Sequence, residues 1–283
     1  MRGPVVVLGT LVLVAVAAPW LANADPAAVR LDRILQPPGA GAWMGTDALG
    51  RDLLARCLYG ARISLLVAAV ATAASLALGT VVGAGAALKG GRTDEVALRV
   101  IDFLSGLPFL FLAIALVALL DNASWLPWQM GRLGLFLALM AGLFWMPTAR
   151  LVRAETLTLR ESAFVAAARA QGVHGPRLLV GHILPHLLPT ITAAAVLTAP
   201  RALVFEATLS FLGLGIEPPD VSWGLLAAEG IETLNPVHVP WWLVTGPGAL
   251  LVITLLALQA AGAAVQERAD ARTGSGIRTG GYA

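Results

Sequence analysis

Residues 161–185 read ESAFVAAARAQGVHGPRLLVGHILP, a polar and organised interruption in a chain otherwise suited to lipid. Ala166, Ala167, Ala168 and Ala170 favour helix from Arg153 to Gln171, and Gly172 offers a left-handed stop. A second helix starts at Gly175-Pro176, where proline suits the first turn, and runs to the neighbourhood of Pro185. The pattern predicts two helices meeting at an exposed corner, Gly172 to Gly175. Phe164, Val165, Leu178 and Leu179 supply apolar contacts there, while Arg160, Glu161, Arg169 and Arg177 form polar edges. Such a knob suits insertion into a groove on a partner.

The rest of the chain sets where that corner lies. Of 283 residues 58% are hydrophobic and 13% charged, with a mean hydropathy of +0.79, far from the ~25% charged residues of soluble domains. This is the composition of an integral membrane protein. A bilayer core takes about 20 helical residues, and six apolar runs fit: approximately 4–22, 63–88, 104–120, 133–149, 190–212 and 241–265. None alternates in polarity, so helices satisfy the backbone in lipid and the expected fold is an all-α, polytopic bundle. The expected organisation is a first helix with its external segment (1–62), a core (63–265) containing the loop 150–189, and a tail (266–283).

Arg2, the run Val5 to Ala18 and the small residues Ala22 and Ala24 imitate a cleavable signal. Continuation through Pro19, Trp20 and Leu21 makes the run nearly long enough to span, and an interfacial Trp20 favours a retained anchor. Basic residues set the orientation. With the N-terminus cytoplasmic, one side receives Arg2, Lys89, Arg92, Arg99, Arg150, Arg153, Arg160, Arg169, Arg177, Arg268, Arg272 and Arg278; the other receives Arg30, Arg33, Arg51, Arg56, Arg62 and Arg132. Residues 211–240 have no Lys or Arg but carry Glu217, Asp220, Glu229 and Glu232, and so read as external. Both termini and the corner are then expected in the cytoplasm.

Ser75, Gly79, Gly83 and Ala87 form a small-xxx-small row that lets another helix approach closely. Arg99 and Asp102, three apart, are expected to pair on one face. Arg201 and Glu206 fall inside a span, where charge is costly; they are expected to pair with each other or to line a translocation path. Pro200 suggests a kink beside them. Cys57 has no cysteine partner and reads as a small buried residue.

No chemistry-bearing motif stands out. Gly85 to Arg92 (GAALKGGR) lacks the ending of a phosphate-binding loop. His182 and His186 have metal-like spacing, but no HExxH glutamate accompanies them and Pro185 lies between; His174 and His238 are isolated. No GxSxG elbow occurs. The expectation is a protein without catalysis, metal or cofactor of its own.

At this point the sequence resembles the membrane-spanning subunits of binding-protein-dependent ABC importers. Their coupling loop follows EAA, three residues, Gly, nine residues, Ile-x-Leu-Pro. Ala166-Ala167-Ala168, Gly172 and Leu184-Pro185 fall in register, with Ala166 in place of the glutamate and His182 in place of the isoleucine. Gly45 to Val67 and Phe205 to Gly230 look like two further stretches of the C-type permeases of dipeptide and oligopeptide importers. Gly246 to Gly248 (GPG) is similar to the family, whereas Gln259 to Asp270 departs from its usual ending.

The resemblance implies a type I importer bundle, a second homologous permease, two cytoplasmic ATPase subunits that bind ATP and Mg, and an extracytoplasmic binding protein, in a prokaryotic inner membrane. It assigns ATPase coupling to Glu161, Ala166, Ala167, Ala168, Arg169, Gly172, Val173, His174, Gly175, Leu184 and Pro185. Peptides are the implied substrate; relatives that carry nickel chelates or other small solutes have similar motifs. An ion-coupled transporter using Arg201 and Glu206 is the rival reading of the residues.

Overall fold

The computed structural model describes residues 2–22, 24–121, 131–235 and 239–274. Asn23, His238 and Arg278 lie outside them. Among the described residues the only β pairings are two isolated bridges, Gly39 with Ala42 and Thr46 with Asp52. The elements are α1 (Arg2–Val16), α2 (Leu53–Lys89), α3 (Gly91–Gly106), α4 (Phe109–Asp121), α5 (Gly131–Arg160), α6 (Ala163–Ala170), α7 (Leu184–Phe211), α8 (Trp223–Glu232) and α9 (Trp242–Gly274). The chain forms two compact units. One holds 1–69, 117–138 and 200–260, and the other 70–116, 139–199 and 261–283.

All six apolar runs fall on helices, by different routes. Leu53–Lys89, Leu133–Arg160, Gly175–Phe211 and Trp242–Val265 are each long and apolar enough to cross a bilayer. Run 104–120, expected as one straight span, is broken: Gly91–Gly106 and Phe109–Leu119 meet at 89°. The cause is Pro108, which pushes the preceding residue out of the helical region; Leu107 is extended at φ −76°, ψ 137°. The first run divides into α1 and the turn Ala18–Leu21, because Pro19 has no N–H to give to a carbonyl four residues back. Together they cover about 30 Å, the thickness of a hydrocarbon core.

The small-residue row on α2 packs within the chain. A Cβ placed on Gly79 would lie 2.6 Å from the Thr148 Cβ, and one on Gly83 would fall on the Ala149 carbonyl oxygen of α5. Buried Ser75 donates to the Phe144 carbonyl at 2.7 Å and accepts from Thr148 at 2.7 Å, pinning the contact. Further along, the Arg160 guanidinium donates to the Ala87 carbonyl at 2.9 Å, satisfying a helix-end acceptor. A third helix joins them through charge. Arg153 donates twice to Asp94, at 2.6 and 2.7 Å, and Arg150 reaches Asp102 at 2.7 Å. Asp102 is therefore taken by α5, and the expected Arg99–Asp102 pair does not form; Arg99 instead lies 3.9 Å from Glu95 on its own helix.

Gly83→Ala is expected to destabilise the protein by about 1–3 kcal/mol, because its methyl would meet the backbone carbonyl of Ala149 rather than the end of a flexible side chain. Gly85→Ala, whose Cβ meets nothing within 4 Å, is the matched control and is expected to leave the thermal midpoint in detergent unchanged or raised.

Candidate functional site

The corner is built on a small hydrophobic core. Val165 and Ala168 of α6 bury themselves against Ala84 of α2, Val152 of α5, and Leu178, Ile183 and Leu187 beyond the corner, with Phe164, Val173 and Leu179 closing the edges. Phe164 also stacks on the His186 ring, centroids 4.4 Å apart. The loop is thus an extension of the folded unit.

Two expectations about it need correction. The helix expected from Arg153 to Gln171 is interrupted, for α5 ends at Arg160 and α6 restarts after an extended Ser162 (φ −72°, ψ 151°). The Ser162 hydroxyl donates back to the Leu159 carbonyl at 2.5 Å, closing the first helix, which is the competition short polar side chains offer a helix backbone. Pro185 does not end the second helix either. A turn Gly175–Leu178 leads into a π-helical turn Leu179–Ile183, in which the Leu184 N–H reaches back five residues to Leu179, and the chain continues helically to Phe211. The wider turn before the proline absorbs its missing donor. The corner itself stands as expected, with Gly172 at φ +83° and Gly175 at φ +59°. Neither has an atom within 4 Å of the place a Cβ would take.

The expected coupling residues separate by exposure. Glu161, Ala166, Ala167, Gly172, His174, Gly175 and Pro185 are exposed; Arg169, Val173 and Leu184 are half-buried; Ala168 is buried in the core. Alanines 166 and 167 face outward while Ala168 holds the helix down, as a 3.6-residue period requires. The His174 Nδ1 lies 2.8 Å from the Gly172 carbonyl oxygen and braces the turn.

Arg201 and Glu206 do not pair. Arg201 is exposed on α7 with no ion pair among the described residues, whereas Glu206 is fully buried. Its carboxylate accepts from Ser64 of α2 at 3.1 Å and Ser210 of α7 at 2.9 Å. Ser64 in turn accepts the Trp223 N–H at 3.2 Å, and Ser210 accepts the Ile216 N–H at 3.1 Å. The Trp223 indole donates to the Cys57 carbonyl at 3.0 Å, and Cys57 is buried as expected. One carboxylate thus fastens two spanning helices to the start of α8.

A second polar cluster was not anticipated. Asp47, 5% exposed, accepts from the backbone of Leu49 and Arg51 at 2.8 and 2.9 Å, from Arg51 Nε at 2.6 Å and from Arg56 at 2.7 Å. Arg56, 1% exposed, also donates to both carboxylate oxygens of Glu229 on α8, at 2.5 and 3.2 Å. The segment before α2 is thereby clamped to the acidic loop between α7 and α9. Its sequence signals were the acids of 211–240 and the arginines of 51–62, but nothing local says which pairs with which.

These features define an all-helical membrane protein whose exposed elaboration is a two-helix corner set on a buried apolar base. Residues 75–275 match the family of inner-membrane components of binding-protein-dependent transport systems. The chain belongs to that family, as a non-catalytic membrane-spanning subunit. It is 34% identical to the dipeptide transport system permease protein DppC of Bacillus subtilis (strain 168), over 92% of this chain and 78% of the relative. It is 37% identical to the oligopeptide transport system permease protein OppC of Mycobacterium tuberculosis, over 84% of this chain and 78% of the relative. With the D,D-dipeptide transport system permease protein DdpC assigned as probable in Escherichia coli K12 it shares 33%, over 95% of this chain and 86% of the relative.

Asp47→Asn puts an amide donor against two guanidinium groups and is expected to cost roughly 2–4 kcal/mol. The readout is the thermal midpoint of the purified protein in detergent, where Asp32→Asn, on an exposed position, serves as the neutral comparison.

Proposed function

We propose that the chain is one of two homologous permease subunits of an ATP-driven importer of dipeptides or oligopeptides, fed by an extracytoplasmic binding protein and powered by two cytoplasmic ATPase subunits. The corner Gly172 to Gly175 faces the cytoplasm, together with both termini, because Lys and Arg concentrate on that side. It docks in a groove of an ATPase subunit, where ATP and Mg are held; closure of the ATPases then moves the spanning helices between inward- and outward-facing arrangements. The carrying observation is the corner's construction: an exposed tip with open space around Gly172, set on a buried apolar base. A tip so braced transmits a push. Peptide substrates are supported by the relatives, which are permeases of dipeptide and oligopeptide transport systems.

Arg201 lines the translocation path in this reading. An exposed guanidinium within a span needs water or a counter-charge, and a cavity for a zwitterionic peptide provides both. Glu206, wrapped in hydroxyl donors, instead holds the helices that frame the path.

Gly172→Trp is the direct test. The positive φ costs a non-glycine residue about 1–2 kcal/mol, too little to unfold the chain, while the indole occupies space the ATPase would need. In the reconstituted complex, ATP hydrolysis is expected to persist while peptide uptake falls at least tenfold. Gly172→Ala, with the same backbone penalty and little bulk, is expected to keep most uptake. Full uptake by the tryptophan variant would refute docking at this tip.

A further inference from the structure

Beside the corner, on the side facing the ends of α2 and α5, lies a cavity of about 490 Å³ lined by Leu88, Lys89, Arg160, Arg169, His174, Gly175 and Leu178. Three basic side chains and a histidine meet there, drawn from two helix ends, α6 and the corner. Among the described residues no carboxylate lines it. The nearby acid Asp94 is engaged by both arms of Arg153 and also acts, more weakly, on Arg160. Arg160 is fixed in place by its bond to the Ala87 carbonyl, so the positive charge is arranged in advance. Like charges converging on one cavity repel; Asp94 offsets this at Arg160, and an anion from outside would relieve the remainder at Lys89 and Arg169.

We infer that this cavity receives an acidic side chain, aspartate or glutamate, of the ATPase subunit that docks on the corner. The inference rests on the docking proposed above and names the chemistry of the contact. Depth decides between a protein carboxylate and a lipid phosphate. On α5 no charge occurs from 133 to 149, and Arg150 is the first beyond that run, so the hydrocarbon boundary lies near Arg150. Arg160 stands ten residues further on, about 15 Å along the helix. Headgroups extend only about 5–8 Å past the hydrocarbon, which leaves the cavity beyond the phosphates and within reach of a soluble domain.

The test uses the full complex of both permeases and both ATPase subunits, purified in detergent. Lys89→Gln combined with Arg169→Gln removes two cations while sparing Arg160, which the fold uses. ATPase subunits are expected to dissociate from this variant about tenfold more readily, and added NaCl to matter less than in the unaltered complex. In a second measurement His174→Cys is paired with single cysteines replacing surface acids on the ATPase. A bismaleimide cross-link to one such position is expected, and the buried Cys57 does not compete. Unchanged retention and salt response, with no cross-link from position 174, would overturn the inference. If Ala166→Cys still cross-links under those conditions, docking on the corner stands without the cavity; if it does not, both fall. Retention that depends on anionic lipid in nanodiscs, again without a cross-link at 174, would assign the cavity to a phospholipid and likewise overturn it.

Discussion

The close approach of α2 and α5 is the contact on which the corner depends. Two glycines, Gly79 and Gly83, let the helix backbones meet at Thr148 and Ala149, and no side chain larger than hydrogen fits at either place. Without lipid-phase hydrophobic attraction between spans, such packing supplies much of the association, supported by the buried hydroxyl pair Ser75–Thr148. Downstream of that contact the two helices place Ala84 and Val152 against α6, while Arg160 bonds back to the end of α2. A loop of some twenty residues would order poorly alone, since each residue costs roughly 1–2 kcal/mol of backbone entropy. Here it inherits order from the helices it joins.

Charge in this chain divides by purpose. Asp47, Arg51, Arg56 and Glu229 are saturated with one another and hold backbone segments in place. Glu206 is likewise occupied, by serine hydroxyls from its own and a neighbouring helix. Lys89 and Arg169, and Arg201 on α7, form no ion pair among the described residues, while Arg160 is bonded to the Ala87 carbonyl and lies in the field of Asp94. A buried charge that is paired serves the fold, because leaving it unpaired costs several kcal/mol. An arranged charge without a partner points outward, toward another molecule.

How much of this was legible follows the range of the interactions. The apolar runs are local and one-dimensional, so they were readable, as was the glycine stop at Gly172. Ser162 was also readable in principle, since a serine before an alanine-rich run is a helix-start signal; the strong helix propensity of 163–170 obscured it. Arg201 and Glu206 are five residues apart, which places them about 140° apart around a helix and on different faces. That spacing argued against the pair from the outset. Asp102 was lost to competition, because a local i, i+3 partner is worth only a few tenths of a kcal/mol and a residue from α5 displaced it. The Arg56–Glu229 contact spans 173 positions, beyond any local pattern.

The opposite orientations of Ala167 and Ala168 have a consequence for how such a subunit diverges. Ala168 answers to its own chain, and any enlargement there would be rejected whatever ATPase is present. Ala166 and Ala167 are exposed, so the fold places little demand on their size, whereas Gly172, equally exposed, is held to glycine by its own backbone at φ +83°. On the docking proposed above, two importers with different motors could exchange the outward half of α6 as a portable adaptor, with the buried half left as native ballast.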